Sequence, residues 1–287
     1  MYGISSKPKP VDLVYSCIEV ADPNVRKDDV PLLLIHGLSM NKESWKDICE
    51  DLALKTGKRV YIPDLRNHGE SPYSEEYDVE AMTEDIIYLL DKLNISKAVV
   101  LGHSLGGKIA VHLALNYPTR IEQIIVEDMR PNGLSPEGLE EVIWYFRILK
   151  EMDSTTMVQG ISELEAKERI LHRMNDEFKK INSPNTMEDA SFLPIKFSDG
   201  KCQWNMNPKL ISVALNDIND MLNESTGCFD GPVLFIYGAE SNFKIKEDED
   251  NIKRLFPNAK LYGVKGGLHM VHMLPEFMDT VINFIRN

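Results

Sequence analysis

The stretch "AVVLGHSLGGKIAVHLAL" (98–115) limits what this chain can fold into more than any other part of it. The apolar run Ala98–Leu101 reads as a buried strand. Gly102 and the polar pair His103-Ser104 break it, Leu105, Gly106 and Gly107 follow, and Ile109 and Leu113, with Ala110 and Ala114, then repeat at helical spacing. Strand, sharp turn and helix are compressed into a few residues. Such a turn needs glycines where the helix start crosses the strand end, because a side chain there would strike backbone. Gly102-x-Ser104-x-Gly106 fits G-x-S-x-G, a turn that lifts a serine hydroxyl out of a sheet under backbone strain. The free N–H groups and positive dipole end of the helix face the anion that forms in acyl transfer. No G-x-x-x-x-G-K-[ST] is present, and this turn is not G-x-G-x-x-G, which disfavours a phosphate cradle.

The flanking sequence repeats the theme. "VPLLLIHGL" (30–38) and "RVYIPDL" (59–65) read as buried strands, and "EQIIVED" (122–128), "GPVLFIYG" (231–238) and "AKLYGV" as further strands, with a looser first strand at 11–20. "SWKDICEDLAL" (44–54), "VEAMTEDIIYLLDKL" (79–93), "DEDNIKRLF" and "PEFMDTVINFIRN" read as helices between or after them. Alternating strands and helices predict a mostly parallel sheet covered by helices. From Pro131 the alternation stops, and two charged helical segments, "SPEGLEEVIWYFRILKEM" and "ISELEAKERILHRMNDEFKKI", take over. The expected organisation is a core of residues 1–130 and 230–287, with residues 131–229 inserted as a helical lid.

Of 287 residues 43% are hydrophobic, enough for a full core, and the net charge of −13 argues against nucleic-acid binding, which needs clustered cations. Cys17, Cys49, Cys202 and Cys228 are scattered without C-x-x-C spacing, so free thiols are expected rather than disulfides or a metal site. The N-terminal "MYGISSKPKPVDLVYS" has neither an apolar signal core nor the arginines of a mitochondrial presequence, and no run spans a bilayer. A soluble compartment is the expectation.

A serine hydroxyl needs a base to become a nucleophile. His269, in "GVKGGLHMVHML", follows a glycine turn between the last strand and a helix opened by Pro275, and is the expected base; His272 is the alternative. The third member is a carboxylate that orients the imidazole. Asp128 ends "IIVED", the strand after the elbow helix, and is preferred; Glu240 in "GAESNF" is the alternative, and Glu127 should face elsewhere by strand alternation. The backbone N–H groups of Leu38, after His36-Gly37, and of Leu105 are the expected oxyanion donors. Trp144, Tyr145 and Phe146 are candidates for an acyl pocket or for the core of the lid.

These residues resemble the α/β-hydrolase superfamily over essentially the whole chain. "PDLRNHGESP" (63–72) with "GHSLGGK" (102–108) resembles more narrowly the abhydrolase-domain-eleven branch, with its bacterial YbfF-type esterases and yeast ethanol acetyltransferases. The resemblance implies hydrolysis of short-chain esters, thioesters or glycerolipids, and a mitochondrial location for animal members. It also implies an acid after the strand that follows the elbow helix, matching Asp128, and a serine at the place of Ser241. Arg66, Asn67 and His68 belong to the branch's loop and are read as holding a turn by hydrogen bonds. Members usually read G-H-x-x-H in the histidine loop, whereas here Leu268 separates Gly267 from His269. Relatives with an aspartate nucleophile are disfavoured by Ser104. The expectation is a serine hydrolase of small-molecule or lipid esters that needs no metal or organic cofactor. An alcohol in place of water would make the same site an acyltransferase, and a hydrolase-fold binding protein without turnover is the remaining alternative.

Overall fold

A computed structural model of the chain describes residues 8–19, 28–153, 162–180, 193–198, 201–209 and 225–287. The strands are β1 (Tyr15–Ile18), β2 (Asp28–Ile35), β3 (Lys58–Pro63), β4 (Ala98–His103), β5 (Ile121–Glu127), β6 (Ile195–Ser198), β7 (Lys201–Trp204), β8 (Val233–Gly238) and β9 (Ala259–Val264). The helices are α1 (Cys49–Thr56), α2 (Val79–Lys92), α3 (Leu105–Asn116), α4 (Pro136–Asp153), α5 (Glu163–Lys180), α6 (Glu249–Leu255) and α7 (Pro275–Arg286). A seven-stranded sheet runs in the order β1-β3-β2-β4-β5-β8-β9; β1 is antiparallel to β3 and every other neighbour is parallel.

The period-two alternation of the strands builds two cores. Leu33, Ile35, Val100, Ile124, Val126, Val233 and Phe235 face α2, α3 and α6. Leu32, Leu34, Val99, Leu101, Ile125, Leu234 and Ile236 face α1 and α7. With both faces buried, these strands read as continuous apolar runs, as parallel sheets do. The order reverses between β2 and β4, where the connections leave to opposite sides and a crevice opens at the carboxyl ends of the strands. The register sets Ile35 beside Gly102 and His103 beside Glu127. The turn after β2, the elbow after β4 and the end of β5 therefore emerge side by side.

Residues 131–229 are not helical throughout. Besides α4 and α5, β6 and β7 pair as an antiparallel hairpin. The signal was Asp199-Gly200 between two alternating four-residue runs, a hairpin pattern that the surrounding charged helices obscured. Phe146, Ile148, Leu149, Ala166, Ile170, Met174, Ile195, Trp204 and Met206 form a third apolar cluster, to which α4, α5 and the hairpin all contribute. The segment is tied down at both ends by Lys108, whose ammonium donates to Pro131 O and to Ser225 Oγ. Burial pulls the Lys108 pKa down to about 8. The loop "NSPNTMEDASFLP" lies almost wholly outside the described residues. Cys17, Cys49 and Cys228 are free thiols, while the Cys202 side chain lies outside the description. Among the described residues no helix is long and apolar enough to cross a membrane.

Candidate active site

Ser104 stands between β4 and α3 at φ 52°, ψ −117°, a conformation that costs a non-glycine residue about 1–3 kcal/mol and persists only where the surroundings enforce it. The enforcement is the crossing of α3 over the strands: a Cβ on Gly102 would lie 2.0 Å from Gly106 O, and one on Gly106 would lie 2.2 Å from Ile35 O. Backbone thus packs directly on backbone. Ser104 occupies the N-cap position of α3 yet makes no side-chain capping bond to it. Its own N–H donates to Glu127 O at 2.9 Å, continuing the ladder between β4 and β5 one residue past their ends. Leu105 is the first helical residue, so its N–H has no intrahelical acceptor.

Asp128 follows β5 directly at φ 47°, a left-handed turn that aspartate tolerates better than most residues. Its N–H remains in the ladder through Ile236 O at 2.9 Å. The carboxylate is fully buried and accepts from Gly238 N at 3.2 Å, Ser241 Oγ at 2.6 Å and the His269 ring nitrogen Nδ1 at 2.7 Å. Burial raises the pKa of Asp128 while these three donors oppose the rise, and the ionised form is the one all three fit. Ser241 Oγ accepts in turn from Phe243 N at 3.1 Å.

His269 is held on two sides besides its bond to Asp128. The Phe243 ring stacks on it, with centroids 3.9 Å apart and planes 13° apart, and the His103 ring lies 4.7 Å away. Because Nδ1 faces a carboxylate, Nδ1 carries the proton and Nε2 points away from Asp128. Burial works to lower the His269 pKa, but the Asp128 hydrogen bond and charge, with Glu141 and Glu127 adding, bring it above the ordinary histidine value. Leu268, inserted relative to the usual loop, does not stop His269 from reaching Asp128. Glu240 is exposed on the β8–α6 connection, and its backbone N–H holds the loop by donating to Gly267 O at 3.1 Å.

His272, the alternative base, faces a different carboxylate. Its backbone N–H and ring Nδ1 both donate to Glu127 Oε1 at 2.8 Å. Glu127 meets His272 and His103 rather than His269, which Asp128 holds. Its register partner His103 places Nδ1 3.5 Å from the other Glu127 oxygen. His103, Glu127 and His272 are all buried, and their donor atoms lie within 4.8 Å of one another, so this is the described group with metal-ligand character. Hydrogen bonds from His272 already occupy the carboxylate, so the group serves as a clamp on the loop that carries His269. The sequence alone gives Glu127 no role, because its partners His103 and His272 come from other elements and meet it only in the fold.

The turn after β2 lies against the elbow. A Cβ on Gly37 would sit 3.3 Å from Ser104 Cβ and 2.9 Å from His103 Cδ2, so only glycine allows this approach. Leu38, the next residue, packs against both the main core and the third apolar cluster. The α4 residues divide. Phe146 is buried in the third cluster, Trp144 is half-buried, and Tyr145 reaches Ser39 with its hydroxyl 2.7 Å from Ser39 Oγ. Glu141 of α4 accepts from Asn242 Nδ2 at 2.8 Å. The structure thus brings Ser104, Asp128, His269, Leu38, Leu105 and Tyr145 to one sheet edge and leaves Glu240 and His272 facing elsewhere.

Known proteins resemble this chain in sequence and fold. Residues 30–276 match the family model of the alpha/beta hydrolase fold. The sn-1-specific diacylglycerol lipase ABHD11 of Xenopus laevis is 31% identical over 265 residues, covering 90% of this chain and 80% of that protein. Ethanol acetyltransferase 1 of Eremothecium cymbalariae is 26% identical over 267 residues, covering 89% and 74% respectively. Among solved structures, a marine microorganism esterase superimposes with a TM-score of 0.74 at 25% identity, covering 96% of this chain and 99% of the esterase. The chain belongs to the α/β-hydrolase family, and within it to the abhydrolase-domain-eleven and YbfF-type branch.

Proposed function

We propose that the protein hydrolyses carboxylic esters through an acyl-enzyme on Ser104. The observation that carries this reading is the bond from half-buried His269 to the buried Asp128 carboxylate at 2.7 Å, on the same sheet edge as a strained serine at a strand-to-helix elbow. In the proposed reaction Ser104 Oγ attacks the ester carbonyl carbon while His269 Nε2 takes the hydroxyl proton. The carbonyl oxygen becomes an oxyanion, held by the N–H groups of Leu38 and Leu105. His269 returns the proton to the departing alcohol oxygen, leaving the acyl group on Ser104. Water then attacks with the same base, and the acid product and free serine are released. Asp128 keeps the proton on Nδ1 and stabilises the imidazolium in both halves.

Residues 131–229 act as the lid of this site. Tyr145 on Ser39 and Asn242 on Glu141 support that placement, since each links α4 to a loop of the site. The relatives support the substrate class: the Xenopus laevis lipase is named for diacylglycerol, and a lipid or short-chain ester is proposed here. The acetyltransferase relative supports a second outcome, in which an alcohol replaces water at the acyl-enzyme.

The test is turnover of p-nitrophenyl esters from acetate to palmitate and of a diacylglycerol, each with and without added ethanol. Acid release that is lost in Ser104→Ala supports hydrolysis, and ethyl ester formation at the expense of acid supports the transferase. A folded wild type that turns over none of these and binds them unchanged overturns the enzyme reading in favour of a binding protein.

A further inference from the structure

Two buried histidines outside the triad converge on the turn that carries Leu38. His36 and His68 are both fully buried, with ring centroids 5.2 Å apart. His36 Nδ1 lies 2.8 Å from Gly37 O, and its Nε2 accepts from Leu65 N at 3.0 Å. His68 Nδ1 lies 2.9 Å from Arg66 O, and its Nε2 accepts from Ser39 N at 3.1 Å. A carbonyl can only accept and a backbone N–H can only donate, so these partners assign both rings the same neutral form, with the proton on Nδ1 and a lone pair on Nε2.

The consequence lies in the peptide planes on either side of Leu38. Among the described residues every peptide bond is trans, so C=O and N–H of each peptide point in opposite directions. Gly37 O is fixed by His36 and by Met40 N at 3.2 Å, so Leu38 N–H points away from the His36 ring. The following peptide is fixed by its Ser39 N–H on His68. Ser39 is held at φ 63°, a left-handed conformation a serine does not adopt unaided, with its hydroxyl on Tyr145. Leu38 is therefore clamped between two pinned peptides. His68 is itself braced, since its N–H donates to Leu65 O and it bridges to Met206.

We infer that His68 is a positioning residue for the oxyanion turn, accepting Ser39 N–H on Nε2 and so fixing the direction in which Leu38 N–H is presented to the site. This rests on the reading of Ser104 as nucleophile and Leu38 as oxyanion donor. It assigns a job in transition-state binding to a loop otherwise explained by turn structure alone. Burial and the neighbouring His36 pull the His68 pKa down to about 3, which keeps the acceptor lone pair in place across the working pH range.

The experiment compares His68→Phe, which keeps a ring and removes the acceptor, with His68→Gln, whose Oε1 sits near the position of Nε2. Each is assayed for kcat and KM on p-nitrophenyl butyrate and for inhibition by butylboronic acid, which forms a tetrahedral adduct on an active serine. The Phe variant should lose about 10- to 100-fold in kcat and in boronate affinity together, with KM within about two-fold and Gln restoring most of the loss. A folded Phe variant with wild-type kcat, or a kcat loss without loss of boronate affinity, overturns the role. If Phe fails to fold, the ¹⁵N shifts of the wild-type histidine rings decide: His68 should carry its proton on Nδ1, and the opposite tautomer overturns the role. A wild type that neither turns over ester nor binds boronate overturns the hydrolase reading as well, whereas an active wild type with an unaffected Phe variant overturns the positioning role alone.

Discussion

Asp128→Asn changes few atoms and should remove most of the activity. Asn can keep the acceptor facing Gly238 N–H, but an NH₂ group then replaces the oxygen that accepts from both Ser241 Oγ and His269 Nδ1. Ser241 Oγ already accepts from Phe243 N and can rotate to accept again. His269 has no such escape. To avoid facing N–H with N–H it must move its proton to Nε2, the atom that has to receive the serine proton. In serine hydrolase triads this tautomer switch costs about four decades in kcat, or about 5.4 kcal/mol of transition-state stabilisation. The pH profile separates it from a general loss of fold. His269 is raised above the ordinary histidine value, so kcat/KM of the wild type should fall as pH drops through a midpoint above about 6.5, where the base becomes protonated. With the Asp128 charge gone, the residual activity should show that acid limb at lower pH. Glu240→Gln, at an exposed position, should match the wild type in rate and profile. The assay is kcat/KM on a p-nitrophenyl ester from pH 5 to 9, beside thermal melts of each variant. A folded Asp128→Asn within ten-fold of wild type, or a Glu240→Gln that loses as much, would refute the reasoning.

Other outcomes follow from the same contacts. Gly106→Ala places a methyl 2.2 Å from Ile35 O and 2.8 Å from His36 O. The start of α3 must then move off β2, and modification of Ser104 should slow at least about 100-fold, with a stability loss of about 1–3 kcal/mol. Asp85→Ala removes the buried carboxylate that the Arg66 guanidinium bonds at 2.6 and 2.7 Å, leaving it the exposed Glu76 carboxylate 3.7 Å away as counter-charge. The expected cost is about 3–5 kcal/mol, or about 5–8 °C in Tm for a chain of 287 residues, and Asp85→Leu with Arg66→Met should recover much of it. Glu127→Ala removes the acceptor of both His272 N–H donors. Proteolysis or amide exchange should then report opening of residues 265–274, with a smaller loss of kcat than Asp128→Asn causes.

Much of this arrangement is legible in the sequence because its central strands are buried on both faces and its turns leave steric signatures. The glycines of the elbow are required by a backbone crossing whose closeness is visible as G-x-S-x-G. Asp128 was legible because an apolar strand that ends in an acid delivers that acid to the sheet edge. What stayed hidden depends on contacts between residues far apart in the chain. Nothing local pairs Glu127 with His272, 145 positions away, or Ser39 with His68. The β6–β7 hairpin was missed for the opposite reason: its local signal is real but only a few residues long, and it lies among charged helices. Phe146 and Tyr145 are adjacent yet differ in use, one filling the third cluster and the other meeting Ser39, a distinction set by helix rotation rather than residue type.

The most direct test of the central claim is to treat the purified protein with a fluorophosphonate and map the adduct by peptide mass spectrometry. An activated serine at the elbow predicts one stoichiometric adduct on Ser104, absent after Ser104→Ala and strongly slowed by Asp128→Asn. A folded protein that forms no adduct, or carries it on a different residue, would contradict that claim.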